Sequence, residues 1–219
     1  MGQEIRNLSE LRNLSDFEYG ALKEIGNIGV GNSATSLSRL VHNSVQTRIL
    51  NTRLELIENV PKVTGISDFP FVGTFVHIEK ELNGYILVFF SEDSARALCQ
   101  TLSVNEGKNL SLETNKPLFE EVSHILAGTF ISTLDNFLHI DASISTPYTA
   151  YDMFSSILNY VLTEMSCKAD FALIFDAEFL VKEKKINGNF VTLLDPASLD
   201  YVLKKVNDII NGMDINYMD

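Results

Sequence analysis

Glu24-Ile-Gly-Asn27-Ile-Gly-Val-Gly31 recurs in altered form as Glu121-Val-Ser-His124-Ile-Leu-Ala-Gly128. At the same offset Ile28 aligns with Ile125, Leu37 with Leu134 and His42 with His139. A second echo lies downstream of each copy: Asn83-Gly84-Tyr-Ile-Leu-Val-Phe-Phe-Ser91 against Asn187-Gly188-Asn-Phe-Val-Thr-Leu-Leu-Asp195. One unit written twice predicts two pseudo-symmetric halves, and with them two versions of any site the unit carries.

Working outward, the first half spans residues 15–102 and the second 117–210. Apolar residues at Leu22, Ile25, Ile28, Leu37, Leu40 and Val41 keep helical spacing, so a long amphipathic helix is expected from Phe17 to about Val41, capped by Ser15 or Asp16. Gly26, Gly29 and Gly31 would each cost that helix about 1 kcal/mol relative to alanine. Their expected use is to let another helix, or a partner, approach the backbone. Residues 45–57 read as a strand. Val72–Leu82 and Tyr85–Phe90 flank Asn83-Gly84, a hairpin signal. Ser91, followed by two acids, opens a helix to Leu102. The polar run 103–116 reads as the linker between halves.

The second half replays this order. A long helix is expected over Leu118–Leu138, a short extended segment at Ser143–Ser145, and an added helix at Tyr151–Met165. Strands are expected at Phe171–Phe175, Glu178–Lys185 and Phe190–Leu194 around a second Asn-Gly turn. Asp195-Pro196 starts a last helix to about Ile210, with a fraying tail behind it.

Composition narrows the function classes. The 219 residues are 45% hydrophobic, enough for a substantial core, and carry a net charge of −12. That charge argues against a nucleic-acid surface, which needs clustered Lys and Arg. Cys99 and Cys167 have no metal-ligand spacing and read as buried free thiols. The amino terminus is polar and no run of 18 apolar residues occurs, so the expectation is a cytoplasmic protein without membrane insertion.

Gly29-Val-Gly31-Asn-Ser-Ala34 fits a dinucleotide fingerprint in letters only. That chemistry needs a strand before the loop and a helix opening at it, whereas Glu18–Ile25 already read as helix. A different reading suits the same segment. Glu24 and Asn27 are three residues apart and share a helix face. The carboxylate suits a cation on a docked partner, and the amide suits a water held beyond it. Acyl-phosphate hydrolysis needs just such positioning of an in-line water. An ordinary solvated helix face also carries pairs like this; recurrence as Glu121 with His124 favours a site.

These words resemble the CheC/CheX/FliY family of chemotaxis phosphatases, on the CheC side. The family motif is Asp or Ser, three residues, Glu, two residues, Asn, then twenty-two residues and Pro. The matching stretches are Leu22-Lys-Glu24-Ile-Gly-Asn27-Ile-Gly-Val-Gly-Asn32-Ser-Ala34 and Phe119-Glu-Glu121-Val-Ser-His, with Pro147 and Tyr151-Asp152-Met153 behind. The resemblance implies an α/β fold: one CheC-like domain over residues 1–219, internally duplicated about a pseudo-two-fold. Its sheet would be mixed and largely antiparallel, covered by two long antiparallel helices.

It also implies a function, dephosphorylation of the phosphorylated response regulator CheY. Glu24 would engage the regulator's lysine and Asn27 would orient the attacking water. Mg²⁺ would sit on the regulator, so no cofactor is expected here. The receptor deamidase CheD is a further implied partner, with Asp152 in the docking region, and a monomer is the implied state. Unlike FliY, the sequence shows no CheY-binding peptide at its start and no switch-protein domain at its end, which points away from residence in the flagellar motor.

Departures qualify the match. Gly20 and Leu50 stand at the Asp/Ser and Pro positions of the first copy. In the second, Pro117 replaces Asp/Ser and His124 replaces Asn, while Glu121 and Pro147 fit. The expectation is one competent site at Glu24 and Asn27 and a degenerate one at Glu121 and His124. The competing class is a non-catalytic adaptor for phosphorylated CheY or CheD. His42 and His139 are expected to cap helix ends.

Overall fold

The computed structural model describes residues 15–63, 69–102, 111–164, 171–181 and 184–216. Residues 1–14, most of the expected linker and Cys167 lie outside them.

The first long helix, α1 (Asp16–Leu40), starts where the sequence caps it. The Ser15 hydroxyl accepts from the Glu18 backbone N–H at 3.2 Å. Glu18 returns the favour, accepting from the Ser15 N–H at 2.9 Å. This reciprocal box satisfies two of the donors that every helix start leaves open. Leu22, Ile25, Gly29, Val30, Ala34 and Leu37 form its buried stripe. The second long helix, α4 (Lys116–Leu138), buries Phe119, Val122, Leu126, Phe130 and Leu134 in the same way. Each fully buried apolar side chain of this kind contributes roughly 1.5–3 kcal/mol. His42 and His139 follow the two helices in the left-handed backbone region, at φ 49° and 52°. Their shared role is the backbone reversal that ends each helix.

Among the described residues seven strands form one sheet in the order β1-β6-β7-β3-β2-β4, with β5 also on β2. They are β1 (Val45–Leu56), β2 (Pro70–Lys80), β3 (Gly84–Ser91), β4 (Ala142–Ile144), β5 (Tyr148–Met153), β6 (Phe171–Val181) and β7 (Lys184–Leu194). Every pairing is antiparallel. At the centre β3 meets β7, and Leu87 pairs with Val191, its own counterpart in the Asn-Gly echo. Strands are exchanged: β1 pairs with β6 from later in the chain, while β4 and β5 pair with β2 from earlier. Neither half could close this sheet alone.

Both faces of the sheet are covered. On β3, Ile86, Val88 and Phe90 join the core under α1 and α4. Leu87 and Phe89 point the other way, against Phe154, Ile157, Leu158 and Val161 of α5 (Phe154–Glu164). A strand buried twice reads as the unbroken apolar run Ile86–Phe90. The helices α3 (Glu92–Leu102) and α6 (Pro196–Asn216) complete the first layer, and the short α2 (Val60–Val63) packs with α5. The two long helices therefore cover one face only.

Other boundaries move. Tyr151–Met153 belongs to β5, and the added helix opens at Phe154. Asn187-Gly188 is not a turn: both lie within β7, where Lys184 pairs with Val181 of β6 and Gly188 sits opposite Phe90. Gly84 likewise opens β3 opposite Leu194. Its loop is longer than a two-residue turn, with Lys80 in the left-handed region at φ 80°. The last helix runs to Asn216, past the expected end at Ile210.

One surface link ties β5 to α3. Tyr151 donates its hydroxyl to Glu92 at 2.8 Å, and Arg96 pairs with the same carboxylate at 2.6 Å. Arg96 and then Tyr151 hold the Glu92 carboxyl below its ordinary value, while the Glu92 hydrogen bond raises the Tyr151 phenol. A depressed carboxyl stabilises the fold above its unfolded pKa, and that contribution disappears as pH falls through the folded value. Melting temperatures of Glu92→Gln and wild type should thus differ at neutral pH and converge in acid. A gap that persists undiminished to acid pH would refute the assignment.

Candidate functional site

The crossing of α1 and α4 decides what the motif residues do. A Cβ on Gly29 would lie 2.7 Å from Cδ2 of Phe130, so glycine is what lets the two helices come this close. The Ser33 hydroxyl is shared between the Gly29 carbonyl at 2.8 Å and the Leu126 carbonyl across the interface at 3.0 Å. The Asn32 amide donates to the Thr133 hydroxyl, and the Thr129 hydroxyl to Ser36, both at 3.3 Å. These last two bonds are one bond seen twice, because Asn32 aligns with Thr129 and Ser36 with Thr133. Of the glycines expected to admit a neighbour, Gly29 does so, whereas a Cβ on Gly31 would meet nothing within 4 Å.

With Gly29 and Ser33 turned inward, helical periodicity turns Glu24 and Asn27 outward. Both are exposed, one turn apart. Among the described residues neither has a hydrogen bond or ion pair, so carboxylate and amide are both available to a partner. Glu121 and His124 stand exposed on α4 in the same relation. Because the helices are antiparallel and cross near Ser33 and Phe130, the two pairs lie at opposite ends, roughly 25 Å apart by helical rise. The two pairs occupy separate places on the helix pair.

The motif's proline position has a structural explanation. Pro147 falls in the gap between β4 and β5, and Leu50 falls where the register of β1 slips, between Ile49 and Asn51. Both copies interrupt the strand at that point, one with proline and one with a bulge. Leu50 therefore leaves the local backbone feature in place. Pro117 occupies the first turn of α4, where a missing N–H costs nothing.

Sequence reasoning missed a groove at the Glu24 end. A cavity of about 400 Å³ opens between the start of α1, the end of α4 and the late turns of α6. Gly20, Ala21, Phe137, Val206 and Ile209 line it, with Asp16 and Glu24 at its edge. The signal lay in three segments distant in sequence, so no local pattern announced it. Asn207 of α6 donates to the buried Glu18 carboxylate at 2.8 Å and fixes that helix against α1.

Asp152 is elsewhere. It is exposed on β5, accepts from the Met153 N–H at 2.7 Å, and borders a smaller pocket of about 210 Å³ with Phe75, Tyr148 and Tyr160 on the α5 face. Among the described residues no three His, Cys, Asp or Glu side chains gather as metal ligands, and no helix is long and apolar enough to cross a membrane.

Known proteins resemble this chain in sequence and in fold. The CheC-like family matches residues 20–41, the stretch that carries Glu24, Asn27 and the helix crossing. The CheY-P phosphatase CheC of Bacillus subtilis is 24% identical over 173 residues, covering 77% of this chain and 83% of that protein. In fold, the crystal structure of Thermotoga maritima FliY superposes with a TM-score of 0.71 at 18% identity, over 89% of this chain and 98% of that one. A chain of the CheX-CheY-BeF3-Mg complex from Borrelia burgdorferi superposes at 0.50 with 16% identity, over 80% and 97%. In sequence and in fold together, the chain resembles the CheC/CheX/FliY family, and CheC in particular.

Proposed function

We propose that this protein is a phosphatase of a phosphorylated CheY-type response regulator, working through one competent site at Glu24 and Asn27. The observation that carries the reading is their exposure, one turn apart and without partners among the described residues, on the helix that the CheC-like family matches. That the Bacillus subtilis relative is a CheY-P phosphatase supplies the substrate class.

In this reading the Glu24 carboxylate receives the regulator's lysine ammonium and fixes the approach of α1. Asn27 then reaches the acyl phosphate, its amide oxygen accepting from a water and turning the water's lone pair toward phosphorus. The water oxygen bonds to phosphorus as the bond from phosphorus to the aspartyl oxygen breaks. Phosphate leaves with the water's protons distributed between it and solvent, and the regulator's carboxylate is restored. Mg²⁺ on the regulator balances the equatorial charge, so this chain supplies position and orientation.

At the opposite end, His124 gives an imidazole in place of the amide, with different reach. We assign Glu121 and His124 to docking without turnover. The chain acts as one unit built from the halves 15–102 and 117–210, as a cytoplasmic monomer, with Asp152 on the face available to CheD.

The test is phosphate release from Mg²⁺-bound phosphorylated CheY, with and without the protein. Acceleration over the regulator's own decay is expected, and Glu24→Gln should weaken productive binding about 10-fold. If the wild type gives no acceleration yet binds the phosphorylated regulator, the adaptor reading replaces the enzyme.

A further inference from the structure

We propose that the groove beside Glu24 receives a large apolar side chain of the regulator, and that Gly20 serves to keep that groove open. The proposal rests on the phosphatase reading, which supplies the occupant.

Gly20 lies inside α1, where glycine weakens a helix. A Cβ built there meets nothing within 4 Å, so packing within the chain makes no demand for glycine. Gly29 shows the contrast, since Phe130 presses against it. The bare backbone at Gly20 therefore faces open space in the described fold.

Position says what that space receives. Gly20 precedes Glu24 by four residues, on the same helix face and roughly 6 Å along the axis. Phe17 and Phe137 border the groove with 63% and 45% of their surface exposed, an aromatic pair left in water. Ala21, Val206 and Ile209 add apolar surface, while the carboxylates of Asp16 and Glu24 edge it. The complement of this surface is an apolar side chain with a cation one helical turn away. A regulator whose lysine reaches Glu24 covers the groove at the same time, because Glu24 belongs to both. The Asn207 to Glu18 bond holds the α6 wall in place beforehand, which lowers the ordering needed on docking.

A polar side chain at position 20 would stand over apolar surface and oppose an apolar anchor. Gly20 accepts one, so this position selects among regulators by what they carry beside the lysine.

The experiment measures the affinity of the full chain for CheY held in its active form by beryllofluoride and Mg²⁺, by titration calorimetry. Gly20→Leu should weaken binding about 10-fold or more and Phe137→Ala about 5-fold. In turnover, Gly20→Leu should raise KM about 10-fold with kcat within about 2-fold, since the anchor acts on binding. Wild-type affinity in a folded Gly20→Leu protein overturns the proposal. Should that variant not fold, wild-type affinity in Phe137→Ala overturns it. Binding is read without turnover, so the two readings fail separately. A wild type that binds but does not accelerate release, and loses affinity in Gly20→Leu, sinks the catalytic reading and keeps the groove. A wild type that neither binds nor accelerates overturns both.

Discussion

Asn27→Ala is expected to abolish most of the acceleration of phosphate release, a fall of about 100-fold, because misplacing the attacking water by an ångström costs that much. The fold should not change. Asn27 is exposed and holds no partner among the described residues, so its truncation removes no internal contact. Melting temperature and affinity for the beryllofluoride form of CheY should stay near wild type, while kcat collapses. His124→Ala, at the far end of the helix pair, should leave release intact. The double variant should then match Asn27→Ala. If His124→Ala instead halves the rate and only the double variant is dead, both ends turn over and the one-site assignment is wrong.

The largest expected loss of stability lies far from either site. A Cβ on Gly84 would stand 2.1 Å from the Leu193 carbonyl oxygen, a contact with backbone rather than with a movable side chain. Gly84 sits in the central β3–β7 pairing, so the strands must separate to admit even a methyl group. Gly84→Ala should cost ~3 kcal/mol or more, at the upper end for overpacking. For a chain of this size that lowers the melting temperature by roughly 6–12 °C. Gly31→Ala is the control. It meets open space on an exposed helix surface, and should stabilise by up to about 1 kcal/mol through helix propensity. A Gly84→Ala protein that melts like wild type would show that this junction opens cheaply.

Gly84 and Gly188 show why parts of the chain were legible and others were not. Asn83-Gly84 and Asn187-Gly188 look alike in sequence, and both suggest hairpin turns. In the structure both lie where β3 and β7 run alongside each other, and Gly84 is required by a neighbouring backbone. A local pattern records that glycine is needed; it does not record whether a turn or a second strand needs it. The added helix was placed three residues early for a related reason. Tyr151–Met153 have helical neighbours in sequence, but β2 offers them a free edge, and pairing overrides propensity.

What the sequence determined by itself was everything that repeats within a few residues or between its copies. A cap at Ser15 or Asp16, the apolar stripes of α1 and α4, the placing of Glu24 and Asn27 on one helix face, and the duplication all follow from spacing. Only the tertiary structure decided the rest. It set β1 against β6 and β4 and β5 against β2, covered the sheet on both faces, and brought α6 beside α1 to form the groove at Glu24. Those outcomes depend on contacts between segments roughly sixty or more residues apart. Burial and hydrogen-bond satisfaction select such contacts for the whole chain at once, and no window of sequence contains them.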